Sequence, residues 1–174
     1  MKSRRFWILD FGFWISNIPN MIWIVPALTI GCAAPKADLQ RPDVTMPKRL
    51  EVVGASASGQ ESDDVRAMNA FDGDAKTRWS SPHADHQWLV ADLGSDRTVI
   101  GVKLVWEAAF GEEYRVEGSL NNEDWSKLAT VRGGDGEEDQ IEFRPAKLRY
   151  LRINCVRRGT EYGFSLYEVQ VWGF

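Results

Sequence analysis

The feature that most limits this chain is a period of two. From residue 50 onward, apolar side chains alternate with polar ones in short runs, and turn-forming Gly, Asn and Asp separate the runs. The runs are 50–55, 87–93, 99–106, 114–119, 126–132, 140–144, 149–156 and 166–172. Ile100, Val102, Leu104 and Trp106 fall on one face of their run, as do Tyr114 and Val116, and Tyr167, Val169 and Val171. Successive side chains of a strand point to opposite faces, so alternation of this kind predicts antiparallel strands with one face buried. No run shows the 3.6-residue period of a long helix. The segment SLNNEDW, residues 119–125, has the chemistry of a hairpin connection. Eight strands with one apolar face each can hide those faces by packing as two sheets, which predicts an all-β antiparallel sandwich over residues 50–174.

The first 49 residues do not share that pattern. Lys2, Arg4 and Arg5 precede a mostly apolar stretch that Asp10, Asn17, Pro19 and Asn20 interrupt. Its uninterrupted part, residues 21–31, has the length of an export-signal core rather than of a membrane span. It runs into ALTIGCAAP, which resembles a bacterial lipoprotein signal, with Cys32 as the residue to be lipidated. Residues 1–31 therefore read as an export signal. Residues 32–49, rich in Pro and charge, read as a flexible linker that holds the domain off a membrane. The expected location is the cell envelope, with the protein anchored as a lipoprotein.

Charge narrows the partners. Without residues 1–31 the chain keeps 18 basic and 24 acidic residues, a net charge of −6. That balance disfavours nucleic acid and anionic membrane surfaces, leaving the N-terminal anchor as the only expected membrane contact. Two Cys make no disulfide framework, and Cys155 continues the apolar alternation Leu151, Ile153, so it reads as a small buried hydrophobe.

One stretch carries more polar chemistry than a strand connection needs. AFDGDAKTRW, residues 70–79, places Asp72, Asp74 and Thr77 around a Gly. By itself it reads either as a surface turn or as an oxygen-rich cation loop. It lacks the Glu that closes an EF-hand.

Six pieces of the chain occur in an order that resembles one family: AFDGDAKTRWSS, QWLVADLG, VIGVKLVWE, YRVEGSLNNEDW, RYLRINCV and YGFSLYEVQVWG. They are similar to the discoidin, or coagulation factor V/VIII type C, domain. Within it they look most like the bacterial carbohydrate-binding modules of family thirty-two. The resemblance implies a galactose-binding-like jelly-roll sandwich and a structural calcium. Carried over residue by residue, the calcium ligands would be the side chains of Asp72, Asp74, Thr77 and Glu168 and the backbone carbonyls of Asn69 and Tyr167. Trp79 would then be core.

The resemblance also implies a sugar site in the loops at one end of the sandwich. A sub-branch that binds chitosan-like glucosamine chains shares an acidic residue in the first loop, here Glu61. It also shares WE at a strand end, here Trp106 and Glu107, and a run matched by Arg158, Thr160, Tyr162 and Gly163. His83 stands in a loop that differs in length. The candidate sugar contacts are Glu61, His83, Trp106, Glu107, Arg158 and Tyr162. Glu107 and Arg158 are expected at the centre, Trp106 or Tyr162 as an apolar wall and Glu61 at the rim. Two glutamates near one pocket suit a cationic amino sugar, and equally the hydroxyls of a neutral one.

Three functions follow from these residues. The first is a monomeric, non-catalytic module that binds a polysaccharide or other glycan. The second is a protein-adhesion module, which requires exposed apolar loop residues and has Phe110 and Phe164 as candidates. The third is a glycosidase that uses Glu61 and Glu107 as paired carboxylates. Serine-hydrolase, zinc-protease and phosphate-loop motifs are absent from the sequence.

Overall fold

The computed structural model describes residues 46–174. The expected export signal, the expected lipidation site at Cys32 and most of the expected linker lie outside the described residues. Eight strands follow in chain order: β1 (Lys48–Leu50), β2 (Gly54–Ala57), β3 (Trp79–Ser80), β4 (Gln87–Trp106), β5 (Gly111–Ser119), β6 (Ser126–Arg132), β7 (Glu138–Arg158) and β8 (Ser165–Gly173). A single 3-10 turn, Ala67–Phe71, lies between β2 and β3. All strand pairings are antiparallel.

The expected runs 87–93 and 99–106 are two halves of one strand, and so are 140–144 and 149–156. β4 and β7 have 20 and 21 residues, and each crosses from one layer of the sandwich to the other. The first half of β4 pairs with the second half of β7, flanked by β2 on one side and by β5 and β6 on the other. The second half of β4 pairs with the first half of β7 and with β8. β1 and β3 then lie along the far edge of β8. The β4 corner is a register shift between Asp92 and Arg97. Gly94 sits there at φ +75°, a conformation that L side chains resist, and its N–H donates to Asp92 Oδ1 at 2.8 Å.

The core lies between the layers. Trp79, Leu89, Leu104, Tyr114, Leu148, Leu151, Ile153, Phe164 and Leu166 are among its fully buried side chains. Cys155 is buried among them, and burial pushes its thiol up. Three expectations need correction. The run 50–55 is two strands, β1 and β2, that pair with different partners, and β1 begins inside the expected linker at Lys48. Ile100 is not in the core stripe. A register shift between Val99 and Gly101 changes the phase, so Val99 is buried in its place. Tyr167 leaves its stripe for the same reason. Val105 pairs with Glu168 and Trp106 with Leu166, which leaves Tyr167 without a partner on β4.

Candidate functional site

The ends of the strands gather the candidate loops. β3 leads into residues 81–86, β4 ends before 107–110, β7 ends before 159–164, and β8 starts at Ser165. Short backbone bonds hold these segments side by side. Glu61 N–H donates to Ser80 O at 2.9 Å, Ser80 pairs with Ser165, and Glu107 N–H donates to Ser165 O at 3.0 Å. The order across this end is therefore Glu61, Ser80, Ser165, Glu107. The two glutamates thus stand on opposite sides of the Ser80–Ser165 pair. Ser80 and Ser165 are buried and form a floor between two acidic flanks.

Each flank is tied in place. Ser80 Oγ donates to Glu61 Oε2 at 3.0 Å, while Glu61 Oε1 lies 3.5 Å from His83 Nε2. The Tyr162 ring meets the His83 ring edge-on, at 5.8 Å and 80°. On the other side, Glu107 Oε2 accepts the N–H of Ala109 at 3.1 Å. Arg78, which the sequence reading did not single out, reaches the floor: its Nε donates to Ser165 Oγ at 3.1 Å. Its signal was positional. Arg78, Ser80 and the core Trp79 alternate, but two residues of strand are too few to stand out as a periodic run.

Arg158 holds the last loop. Its Nε and its backbone N–H both donate to Asp85 Oδ1, at 3.1 and 3.0 Å. Its Nη1 donates to the carbonyls of Glu161 and Tyr162, at 3.0 and 3.2 Å. The backbone N–H of Arg158, followed by its guanidinium, holds the Asp85 carboxyl below its usual range. Gly163 lies so close to the neighbouring loop that a Cβ there would come within 2.5 Å of Ser81 O, so only glycine fits.

The structure thus brings Glu61, His83 and Tyr162 into one cluster, with Arg158 bonded to the Tyr162 carbonyl. Arg158, expected at the centre of the site, is tied to Asp85. One expectation changes. Trp106 is not a wall of the site. It is 4 % exposed, its Nε1 donates to Asp139 Oδ2 at 2.9 Å, and it meets Tyr114 edge-on at 5.3 Å inside the sandwich. Tyr162, 52 % exposed, remains as the aromatic surface. Phe164 is fully buried and Phe110 packs against the core, so neither supplies the exposed apolar loop that adhesion requires. A cleft of about 290 Å³ is lined by the start of the first loop and the 3-10 turn, with Ala55, Ser56, Ala57, Gln60, Arg66 and Met68 among its walls. None of the six candidate sugar contacts lines it.

The second oxygen-rich group lies at the 69–77 loop. The Asn69 amide donates to the carbonyls of Asp64 and Arg78, at 2.7 and 3.2 Å, which fixes the peptide. Thr77 Oγ1 lies 2.8 and 3.0 Å from the two oxygens of Asp72, 3.0 Å from Asp74 O and 3.5 Å from Asn69 O. A hydroxyl has one proton and serves one acceptor at a time. Oxygens thus collect there in excess of protons, a donor set that fits a hard cation such as calcium. Glu168 is joined to the loop by the Gly73 N–H, which donates to its Oε2 at 3.1 Å. Burial pushes the Glu168 carboxyl up, against the pull of Arg49 and the Gly73 N–H, with Asp72 adding to the rise. Arg49 also forms an ion pair with Glu168, so one of its oxygens already faces a cation. The Asp74 side chain turns to its own loop and accepts from Lys76 N–H, leaving its backbone carbonyl beside Thr77. Among the described residues no three His, Cys, Asp or Glu side chains converge on one point, so hydroxyl and carbonyl oxygens would have to supply the remaining ligands.

Comparison with known proteins places these loops on a familiar scaffold. The F5/8 type C domain matches over residues 54–169. Chitosan-binding module 1 from a chitosanase/glucanase of Paenibacillus sp. IK-5 is 40% identical, with a TM-score of 0.68, covering 71% of this chain and 96% of that one. Module 2 of the same enzyme, solved in complex with chitotriose, is 32% identical with a TM-score of 0.69, covering 71% and 98%. A curated relative, the polysaccharide lyase 8 family protein HylA of Enterococcus faecalis, is 25% identical over 108 residues. That match covers 60% of this chain and 8% of the relative.

Proposed function

The chain belongs to the F5/8 type C domain family, and on that premise we propose that it is a non-catalytic carbohydrate-binding module. Its ligand is a glycan held at the strand-end loops, with glucosamine-containing chains first among the candidates. The observation that carries this reading is the row Glu61, Ser80, Ser165, Glu107, with the half-exposed Tyr162 ring against His83 beside Glu61. Carboxylates accept hydrogen bonds from hydroxyls or an ammonium, and an aromatic face takes the C–H side of a sugar ring. Similarity to a module solved with chitotriose supports the amino-sugar class.

A catalytic role has less support. The two glutamates flank a floor of two serines, and each already accepts a bond from its own surroundings. HylA is a lyase by name, but this chain corresponds to a small part of it.

Two further elements belong to the proposal. Calcium would be held by Asp72, Thr77 and Glu168 with the carbonyls of Asn69, Asp74 and Tyr167, and would join the loop to β8. It would supply structural charge compensation and no chemistry. Export and lipidation at Cys32 would tether the module to the cell envelope. The test of the function is a glycan array probed with the protein, followed by calorimetric titration of each hit. Binding to glucosamine oligomers that Tyr162→Ala abolishes is the expected result. An array without any hit overturns the reading.

A further inference from the structure

His83 is a half-exposed histidine set against an acidic side chain at the place where a cationic ligand would have to go. Glu61 is anchored through one oxygen only: Oε2 accepts from Ser80 Oγ at 3.0 Å, and Oε1 faces His83 Nε2 at 3.5 Å. That second contact is longer than a well-made hydrogen bond of about 2.7–3.2 Å. The imidazole therefore lies against Oε1 without locking it. The ring is steadied from its other side by Tyr162, edge-on at 5.8 Å. One carboxylate oxygen is thus shared between a titratable base and the solvent space in which a sugar would bind.

We propose that His83 sets the charge of the sugar site, so that the site accepts cationic amino sugars only while the imidazole is neutral. The proposal rests on the carbohydrate-binding reading and adds its regulation. With His83 neutral, Glu61 presents a negative charge to an incoming ammonium. With His83 protonated, the imidazolium pairs with Oε1, cancels that charge, and repels the ammonium at close range. Binding of the ammonium and binding of the proton at His83 are then mutually exclusive, and each lowers the affinity of the other. A neutral N-acetylated sugar carries no charge to repel and lacks this penalty.

The other charges around the ring do not carry the effect. Asp85 and His86 stand on the same loop, and Asp85 is already paired with Arg158 from β7. Arg158 also bonds the carbonyls of Glu161 and Tyr162 in the last loop. Arg78 on β3 is directed to Ser165 Oγ. Of the two histidines on this loop, His83 is the one placed against Glu61.

The experiment is calorimetric titration of chitotriose and of its fully N-acetylated counterpart, at pH 5 and pH 7.5, into the protein and into His83→Gln. The sugar's own amine titrates identically in both titrations, so the ratio of the two affinities isolates His83. Expected is a ratio, variant over wild type, that is larger at pH 5 than at pH 7.5 for chitotriose, by up to about tenfold for each pH unit below the imidazole's titration. The N-acetylated trimer should give the same ratio at both pH values. At pH 5 chitotriose binding should release more protons from wild type than from His83→Gln, the sugar's own contribution being common to both, read from the dependence of the heat on buffer ionisation. Equal chitotriose ratios at both pH values, with binding intact, overturn this inference and leave the sugar reading standing. Absence of binding to either trimer by wild type at both pH values overturns the sugar reading and this inference with it. His83→Gln lies on an exposed loop. In a Glu61→Gln background the same chitotriose ratio should change less with pH than it does with Glu61 present, because only direct repulsion by the imidazolium remains, and a pH change of undiminished size refutes the pairing.

Discussion

Replacement of Trp106 by Phe separates a core residue from a sugar platform. Trp106 stands in the motif WE, where the family resemblance invites a ligand role, yet it is buried and its Nε1 donates to a carboxylate. Phe keeps most of the ring contacts with Tyr114 but removes that donor. Losing a hydrogen bond to a charged partner typically costs about 1.5–3 kcal/mol. Asp139 keeps the hydrogen bond from the Tyr114 hydroxyl, which argues for the lower half of the range. For a domain of this size each kcal/mol lowers Tm by roughly 4 °C, so a drop of about 6–9 °C is expected. Trp106→Ala would also open a cavity and cost about 3–5 kcal/mol, a large share of the 5–15 kcal/mol that holds a typical domain folded. The assay is thermal unfolding by near-ultraviolet circular dichroism, with calorimetric titration of chitotriose well below Tm. Trp106→Phe should melt early and bind like wild type. A variant that melts like wild type and loses the sugar would refute the assignment of Trp106 to the core.

Three other outcomes follow from particular contacts. Arg158→Ala should weaken sugar binding about tenfold or more, because the Glu161 and Tyr162 carbonyls lose their donor, while Tm moves little since exposed pairs contribute at most about 1 kcal/mol; titration alongside a melt checks both. The Asp85 tie to Arg158 is favoured by a carboxyl held low, so its contribution is present above the ordinary carboxylate range and is lost only as pH falls below it; hydrogen exchange at the Arg158 amide between pH 3 and pH 7 reads this. If calcium occupies the 69–77 loop, a hundredfold excess over its Kd should add about 2.7 kcal/mol of stability, which chelator removes and Asp72→Ala makes unavailable. That gain should fade on acidification at a higher pH than for an ordinary carboxylate, because the Glu168 carboxyl is held up. Identical melting with and without chelator refutes the calcium proposal.

Much of the fold was legible because burial on one face of a strand writes itself into the sequence at period two. The stripe Leu104, Trp106 and the stripe Val169, Val171 are where alternation put them. The hairpin at 119–125 was legible because its turn needs particular residues, and Asn122 does take a positive φ. The misses fall where that code is interrupted. One extra residue at Ile100 and another at Tyr167 shift the phase, and alternation cannot report a bulge whose cause is the neighbouring strand. β3 was too short to show a period, which hid Arg78 as well.

By itself, the sequence determined that the chain from about residue 50 is an antiparallel all-β domain, and which family and which loops to inspect. It also showed an oxygen-rich loop at residues 70–79, because local chemistry is a property of the sequence, while the link from that loop to Glu168 came from the family resemblance. Only the tertiary structure decided which candidates meet. Trp106 and Glu107 are neighbours in sequence, yet the strand turns one into the core and leaves the other on the floor's flank. Arg158 was free to pair with any acid in reach, and the fold set Asp85 beside it, 73 residues earlier in the chain. Glu61 and His83 come together because β3 hydrogen-bonds the first loop and leads into the next. Long-range pairing of this kind depends on strand register and layer order, which the sum of local preferences along a chain does not specify.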